Sequence, residues 1–529
     1  MKKMKKTGKQ AALLLTAAMT ATTIAPMTVS AEEATEAAVT EAAAETEAAN
    51  PLKYVFLFIG DGMSYPQIQT TSDYLGAMEQ DAESDILSGP KTLTMQTFPV
   101  AGSATTFDST SFCPDSASTA TSIATGYKTY SGSINVDETG TVSYETIAEK
   151  LKEQKDYKVG VISSVNLNHA TPAAFYAHQV SRNSYYEIAA EMVNSNFDYF
   201  AGGALISPTG KEEDQEDIYT AAENAGYKVV KTQAEAEALT AEDGKAIVIA
   251  ETLADSDSIS YENDRADEEW ALADYVDKGI EMLDNDNGFF MMVEGGKIDW
   301  ACHANDAGST VSDTIALDAA VAKAVEFYNE HPEETLILVT GDHETGGLTI
   351  GYAGTDYDTF LTNLSNQKIS YAKYDSDYVT KYKEEGTDFD TVMADITELF
   401  GLLPPAEGQT EDAAQMDDPN MHPESDNTGS LVMTEYEYNK LKAAYETTMS
   451  RTGEEEIGQE EYLLYGSYEP LSVTITHILN NKSGINFSSY AHTGLPVAVL
   501  AQGNGQELFN GYYDNTEIYT KMAQLLNVQ

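Results

Sequence analysis

At 529 residues the chain is longer than one hydrophobic core needs, so it reads either as one large domain carrying insertions or as two domains. Its 42% hydrophobic content is that of a soluble globular protein, while 86 acidic residues against 30 basic ones give a formal charge of −56. That balance excludes a nucleic-acid footprint or an anionic membrane surface as the main business of the fold, and any phosphate-bearing ligand must be attracted by something local.

Lys2, Lys3, Lys5, Lys6 and Lys9 precede an apolar stretch from Ala11 to Ile24, and Val29-Ser30-Ala31 follows. This pattern predicts a secretory signal peptide over residues 1–31 with a small-residue cleavage site. Removing five lysines from the 30 basic residues leaves 25 against 86 acidic ones, a charge of −61. No later run of about 20 apolar residues offers a transmembrane anchor, and no cysteine follows the signal to carry a lipid. The expected location is therefore secreted or at the cell envelope. Residues 32–51 are an acidic Ala/Glu/Thr tract that reads as a solvated tether, and the folded domain is expected over residues 52–529.

Lys53 to Ile59 is an unbroken apolar run ending in Gly60-Asp61-Gly62, which suits a strand buried on both faces. The pattern returns three times. Val159 to Ser163 leads into Asn168-His169-Ala170-Thr171-Pro172, Phe289 to Val293 into Glu294-Gly295-Gly296, and Leu336 to Thr340 into Gly341-Asp342-His343. Helical patterns between them, Tyr144 to Gln154 and Asp313 to Tyr328, predict an α/β fold with a largely parallel central sheet flanked by helices. Ligands of such sheets lie beyond the carboxyl ends of the strands, where every one of these polar clusters falls. From about residue 352 to 476 the rhythm is lost. Helical pieces (Asp388 to Phe400, Leu431 to Thr447) and an acidic, proline-containing loop read there as an insertion on the rim of the sheet. Leu495 to Leu500, preceded by His492-Thr493-Gly494, returns to the core.

Pro114 and Asp115 stand before a run of small residues that Gly126 can close, so Ser116 is expected at a helix N-terminus, where unpaired N–H groups favour an anion. Of eight histidines, four (His169, His303, His343 and His492) lie in the strand-end loops beside carboxylates, a mixture that holds zinc and magnesium. Asp299 and His303 are four apart and share one face of a helical turn. Cys113 and Cys302 could pair or stay free, and the sequence, which does not fix their separation, favours free thiols without deciding it.

These pieces resemble the alkaline phosphatases: Phe58-Ile59-Gly60-Asp61-Gly62-Met63, Pro114-Asp115-Ser116-Ala117, His169 to Ala174, Ser181-Arg182-Asn183, Met292 to Asp299, Gly341-Asp342-His343 and His492-Thr493-Gly494, in the family's order. The resemblance implies a phosphomonoesterase whose cofactors are two zinc ions and one magnesium ion per chain. Asp299, His303 and His492 would bind one zinc; Asp61, Asp342, His343 and the Ser116 oxygen a second; Asp61, Thr171 and Glu294 the magnesium. Ser116 would be the nucleophile that forms a phosphoserine, and Arg182 would grip two phosphate oxygens through its fork of donors. His169 and Trp300 would stand just outside the ligands. They depart from one branch of the family, which has aspartate and lysine there, and the missing lysine implies readier release of phosphate. With those ligands assigned, three divalent ions and Arg182 make the cleft about +2, a local attraction for a dianionic substrate in an otherwise acidic protein. The partners implied are small phosphate monoesters, and the resemblance allows a homodimer.

Three other readings share some of these residues. A sulfatase would need Cys-x-Pro-x-Arg, whereas Pro114 follows Cys113 directly and Ala117 stands beyond Ser116. A phosphodiesterase of the same superfamily would use the two-metal scaffold, but Glu294, Thr171 and Arg182 favour a monoesterase. A catalytically silent surface protein using its carboxylates for metal would retain the same motifs, although each metal position here holds a competent side chain.

Overall fold

The computed structural model describes residues 52–80, 87–355, 357–406, 429–453 and 456–529. The expected signal peptide and tether lie outside the described residues. Fourteen strands are present among them: β1 (Tyr54–Gly60), β2 (Val100–Thr105), β3 (Lys158–Ser163), β4 (Tyr199–Gly202), β5 (Lys228–Val230), β6 (Ala246–Ile249), β7 (Phe289–Gly295), β8 (Thr335–Gly341), β9 (Glu344–Thr345), β10 (Thr349–Ile350), β11 (Ile485–Asn486), β12 (His492–Thr493), β13 (Val497–Gly503) and β14 (Tyr512–Asp514). Ten form one sheet in the order β14-β2-β13-β8-β1-β7-β3-β4-β6-β5. Only β13 runs antiparallel to its neighbours, β2 and β8, so the sheet is largely parallel as expected.

All seven residues of β1 are buried, because helices cover both faces of the sheet. Side chains alternate between those faces. Phe56 and Phe58 join Leu317, Val321 and Phe327 of the helix Ala307–Glu330 on one side. Val55, Leu57 and Ile59 meet Ala117, Ala120 and Ile123 of the helix Ser116–Thr125 on the other. The register aligns Gly60 with Gly295 of β7 and with Gly341 of β8. Three adjacent strands therefore end in one row, and Asp61 and Asp342 are the next residues of their strands. Glu294 lies one row back, between Ile59 and Ser163.

The helix Ser116–Thr125 begins where its sequence suggested. Asp115 caps it by accepting from Ser118 N at 3.1 Å, and Gly126 ends it in the left-handed region at φ 80°. Every residue in it is buried, and its Ser, Ala and Thr side chains are small enough to let it pack closely.

In the 352–476 segment the described elements are helical: Leu361–Asn366, Tyr371–Tyr374, Asp375–Val379, Thr380–Glu385, Phe389–Phe400, Glu435–Ser450 and Gln459–Tyr465. It is tied to the core through Asp306, which accepts from Gln367 Nε2 at 2.7 Å and from Tyr371 N at 3.0 Å. Among the described residues no helix is long and apolar enough to cross a membrane.

Candidate functional site

Three groups of side chains converge above the row of strand ends. In the first, His303 Nε2 stands 3.3 Å from Asp299 Oδ2 and 3.0 Å from His492 Nε2, and His492 Nε2 is 3.6 Å from Asp299 Oδ1. The helix Lys297–His303 supplies two of these and β12 the third. Both imidazoles have their tautomer fixed from behind. His303 Nδ1 donates to the Tyr490 carbonyl at 2.7 Å, and His492 Nδ1 donates to the Pro114 carbonyl. A carbonyl only accepts, so Nδ1 is the donor in each ring; burial keeps His492 neutral with its lone pair on Nε2, while at His303 burial is outweighed by the Asp299 carboxylate, which raises it to about 8.

The second group centres on His343 Nε2, with Ser116 Oγ at 3.2 Å and Asp61 Oδ1 and Asp342 Oδ2 each at 3.3 Å. Thr345 Oγ1 gives its proton to Asp299 Oδ1 and takes one from His343 Nδ1 at 3.2 Å, which leaves the lone pair on Nε2. Asp299 also lies with Asp61 and His343, so it stands between the first two groups. Gly62, at φ 70°, passes so close that a Cβ there would meet Asp299 Cα at 2.9 Å.

The third group is Asp61, Glu294 and His169. Asp61 Oδ1, Glu294 Oε1 and His169 Nδ1 are buried and have no hydrogen-bond partner; the two bare carboxylate oxygens cost free energy unless a cation meets them, and His169, which accepts through Nε2, carries its proton on Nδ1. Thr171 Oγ1 reaches Asp61 Oδ2 at 3.4 Å, and Ser163 Oγ donates to Glu294 Oε2. His169 is thus nearer this group than a residue outside the ligands need be. Trp300 packs against it edge to face, ring centroids 5.9 Å apart.

The electrostatics ask for positive charge. Burial, then the carboxylates of Asp342, Asp299 and Glu294, push Asp61 far above its ordinary range. Burial pushes Glu294 up to about 8 and Asp342 up to about 7. Burial also raises Asp299, but the imidazoles of His303, His492 and His343 outweigh it and hold that carboxyl well below the usual range. His343 and His492 are kept neutral by burial, the form that ligates a metal, and burial keeps His169 neutral as the acceptor for Arg182. These donor sets fit divalent cations.

Arg182 lies at the edge of the cluster. Its Nη1 donates to Asp115 Oδ2 at 3.0 Å and its Nη2 donates to His169 Nε2 at 3.1 Å. Every site residue expected from the sequence is therefore in one neighbourhood. Asp115 as the anchor of Arg182, Thr345 as the bridge between Asp299 and His343, and Ser163 under Glu294 were not among them. Ser163 and Thr345 carry only the mark of a polar residue at a strand end, and Asp115 only that of a residue before a helix.

The family model described as alkaline phosphatase matches residues 52–528. The chain belongs to the alkaline phosphatase family. It is similar to alkaline phosphatase 4 of Bacillus subtilis (strain 168), 27% identical over 486 residues, with 90% of this chain and 89% of that one covered. Among solved structures it is similar to a cold-active alkaline phosphatase from the psychrophile Shewanella sp., at 25% identity and a TM-score of 0.69, covering 89% of this chain and 99% of that one. It is also similar to a TAB5 alkaline phosphatase mutant, in which glutamate replaces a histidine and Mg is bound in the M3 site, at 25% identity and a TM-score of 0.58, with 90% and 99% covered. Membership of the alkaline phosphatase family accounts for the largely parallel sheet flanked by helices. Both cysteines are free, Cys113 exposed and Cys302 buried.

Proposed function

We propose that this protein hydrolyses phosphate monoesters to an alcohol and inorganic phosphate through a phosphoserine on Ser116, with two zinc ions and one magnesium ion per chain. The observation that carries the reading is the Ser116 hydroxyl, 3.2 Å from His343 Nε2 within the second group and at the N-terminal end of a buried helix. Imidazole and carboxylate suit zinc at Asp299, His303 and His492 and at Asp61, Asp342, His343 and Ser116. Oxygen donors suit magnesium at Asp61, Thr171 and Glu294. Bound there, the ions would supply Lewis acidity to the oxygens of the transferred phosphoryl group and lower the pKa of the attacking hydroxyl.

The chain's own residues account for the rest. Ser116 Oγ is presented 3.2 Å from His343 Nε2, and the positive end of its helix faces the same space as an incoming phosphate. Arg182, held by Asp115 and His169, offers its remaining N–H donors to two phosphate oxygens. The Ser116 oxygen to phosphorus bond forms as the bond to the alcohol oxygen breaks, and the hydroxyl proton ends on the departing alcohol. Water then cleaves the phosphoserine and returns the proton to Ser116. Phosphate monoesters are among the slowest biological substrates to hydrolyse unaided, so the number of converging groups matches the barrier. The expected setting is outside the membrane, after cleavage following Ala31.

The test is release of p-nitrophenol from its phosphate monoester and from the bis ester, with and without a chelator. Fast monoester turnover that is lost to the chelator and regained with zinc and magnesium supports the reading. Equal rates on both esters favour the diesterase. No turnover with both metals present favours the silent binder.

A further inference from the structure

Lys297 opens the helix that carries Asp299 and His303, and its side chain has no access to solvent. It belongs to none of the three groups. Its ammonium pairs with Asp255 Oδ1 at 2.6 Å and lies 3.9 Å from the centre of the Tyr261 ring and 4.8 Å from that of Trp300. Burial lowers its pKa and the Asp255 charge opposes that. One direct carboxylate and two aromatic faces thus take the place of water around a buried cation.

The contacts continue in one line. Trp300 meets His169 edge to face with an interplanar angle of 77°, and His169 Nε2 accepts from Arg182 Nη2. The other end of the line is equally well fixed. Asp255 precedes two consecutive non-glycine residues in the left-handed region, Ser256 at φ 52° and Asp257 at φ 57°. The surrounding backbone holds that turn, because Asp257 O accepts from Ala204 N at 2.7 Å. Left-handed conformations of this kind cost free energy and persist where neighbours impose them.

We propose that the Lys297–Asp255 pair is a positioning device for phosphate binding: by fixing Trp300 it braces His169, whose other ring nitrogen holds the Arg182 guanidinium ready for the phosphate oxygens. This rests on the reading of Arg182 as the phosphate-gripping residue. Lys297 touches neither Arg182 nor the three groups through its ammonium, so it acts only through Trp300. Asp255 is 35% exposed, so loss of the lysine leaves a carboxylate that water can solvate, and Lys297→Met is expected to fold.

Trp270 and Trp300 are the only tryptophans in the sequence, so Trp270→Phe leaves Trp300 as the sole reporter. In the zinc- and magnesium-loaded full chain, Lys297→Met is expected to shift Trp300 emission and weaken binding of inorganic phosphate, measured by calorimetry, about five- to tenfold. KM for p-nitrophenyl phosphate should rise by a similar factor with kcat changed less than about twofold, as for a lost ground-state contact. Metal content should be unchanged, and Lys297→Arg should restore both emission and affinity. Asp255→Asn should move phosphate affinity in the same direction, and it serves as the test if Lys297→Met does not fold. Wild-type phosphate affinity in the folded variant, or a loss of affinity that tracks a loss of metal, overturns the proposal. A wild-type protein that binds no phosphate overturns the reading of Arg182 and this proposal with it, whereas wild-type binding matched by the variant overturns this proposal alone.

Discussion

Arg182 and Asp115 join the anion-binding side chain to the helix of the nucleophile: Asp115 Oδ2 accepts from Arg182 Nη1 at 3.0 Å, while Oδ1 of the same carboxylate accepts from Ser118 N at 3.1 Å. One side chain therefore caps the Ser116 helix and aims the guanidinium. Asp115→Ala removes a cap worth about 1 kcal/mol of stability. It also frees a charge-assisted bond worth about 1.5–3 kcal/mol, so kcat/KM should fall about 10- to 100-fold, mostly through KM. Steady-state kinetics and urea unfolding on the same variant separate the two losses. A variant with the wild-type KM would show that Arg182 is aimed by something else.

Ser116→Ala should leave the fold intact, since the hydroxyl's contact is with His343 and its removal costs about 1 kcal/mol or less. Turnover should drop by at least about 10³-fold, because the nucleophile is gone while the positive cleft remains. The decisive measurement is acid-stable phosphate on the protein after quenching with labelled substrate. Label present in the wild type and absent in the variant is expected; label in both would move the nucleophile elsewhere.

Strands β1, β3, β7 and β8 could be read from the chain because burial on both faces leaves unbroken apolar runs such as Tyr54 to Ile59. The outer strands carry no such mark. Val100–Thr105 contains Ala101, Gly102, Ser103, Ala104 and Thr105, all small, and Lys228–Val230 has three residues, too few for a period to show. Nor does sequence contain the direction of β13, which pairing with β2 and β8 decides. The ligand candidates were legible for a physical reason, since a carboxylate or imidazole directly after a buried strand is out of place unless something pairs with it. Lys297 was not, because its role depends on Tyr261 and Asp255, which are brought to it only by the fold.

Metal removal should make stability depend on pH in a defined direction. Protein groups alone raise Glu294 to about 8 and Asp342 to about 7, and Asp61 is raised well above its ordinary range, burial being the largest cause in each. A carboxyl whose folded pKa is raised binds its proton more tightly in the folded state, so its contribution is greatest below the unfolded value near 4 and is lost as pH rises through 7 to 8. The chelated protein should therefore unfold at a lower temperature at pH 9 than at pH 6. Zinc and magnesium should raise the midpoint at both values and most at pH 9, which differential scanning fluorimetry can follow. A chelated protein with a flat profile over that range would mean that the carboxylates are not neutralised by the fold in the way their burial requires.

His178 gives a second pH dependence, away from the site and opposite in sign to that of an ordinary buried histidine. It lies between Glu149 Oε2 and Glu191 Oε2, each 3.4 Å from a ring nitrogen, and so bridges the helices Ile147–Lys155 and Tyr185–Asn194. Burial lowers its pKa, but hydrogen bonds and charge from Glu149 and Glu191 outweigh that and raise it to about 10. The imidazolium is therefore the folded form across neutral pH, while the unfolded chain loses its proton near 6.5. Its stabilisation is full below that value, fades as pH rises between the two, and is gone above about 10. His178→Gln should be less stable than the wild type at pH 6.5, and the gap in urea midpoint should close progressively toward pH 10. Comparing the two proteins at each pH, both metal-loaded, cancels the titration of tyrosines and lysines common to them. A gap that stays constant from pH 6.5 to 10 would mean that His178 is neutral in the folded protein and that the two glutamates are held by other partners.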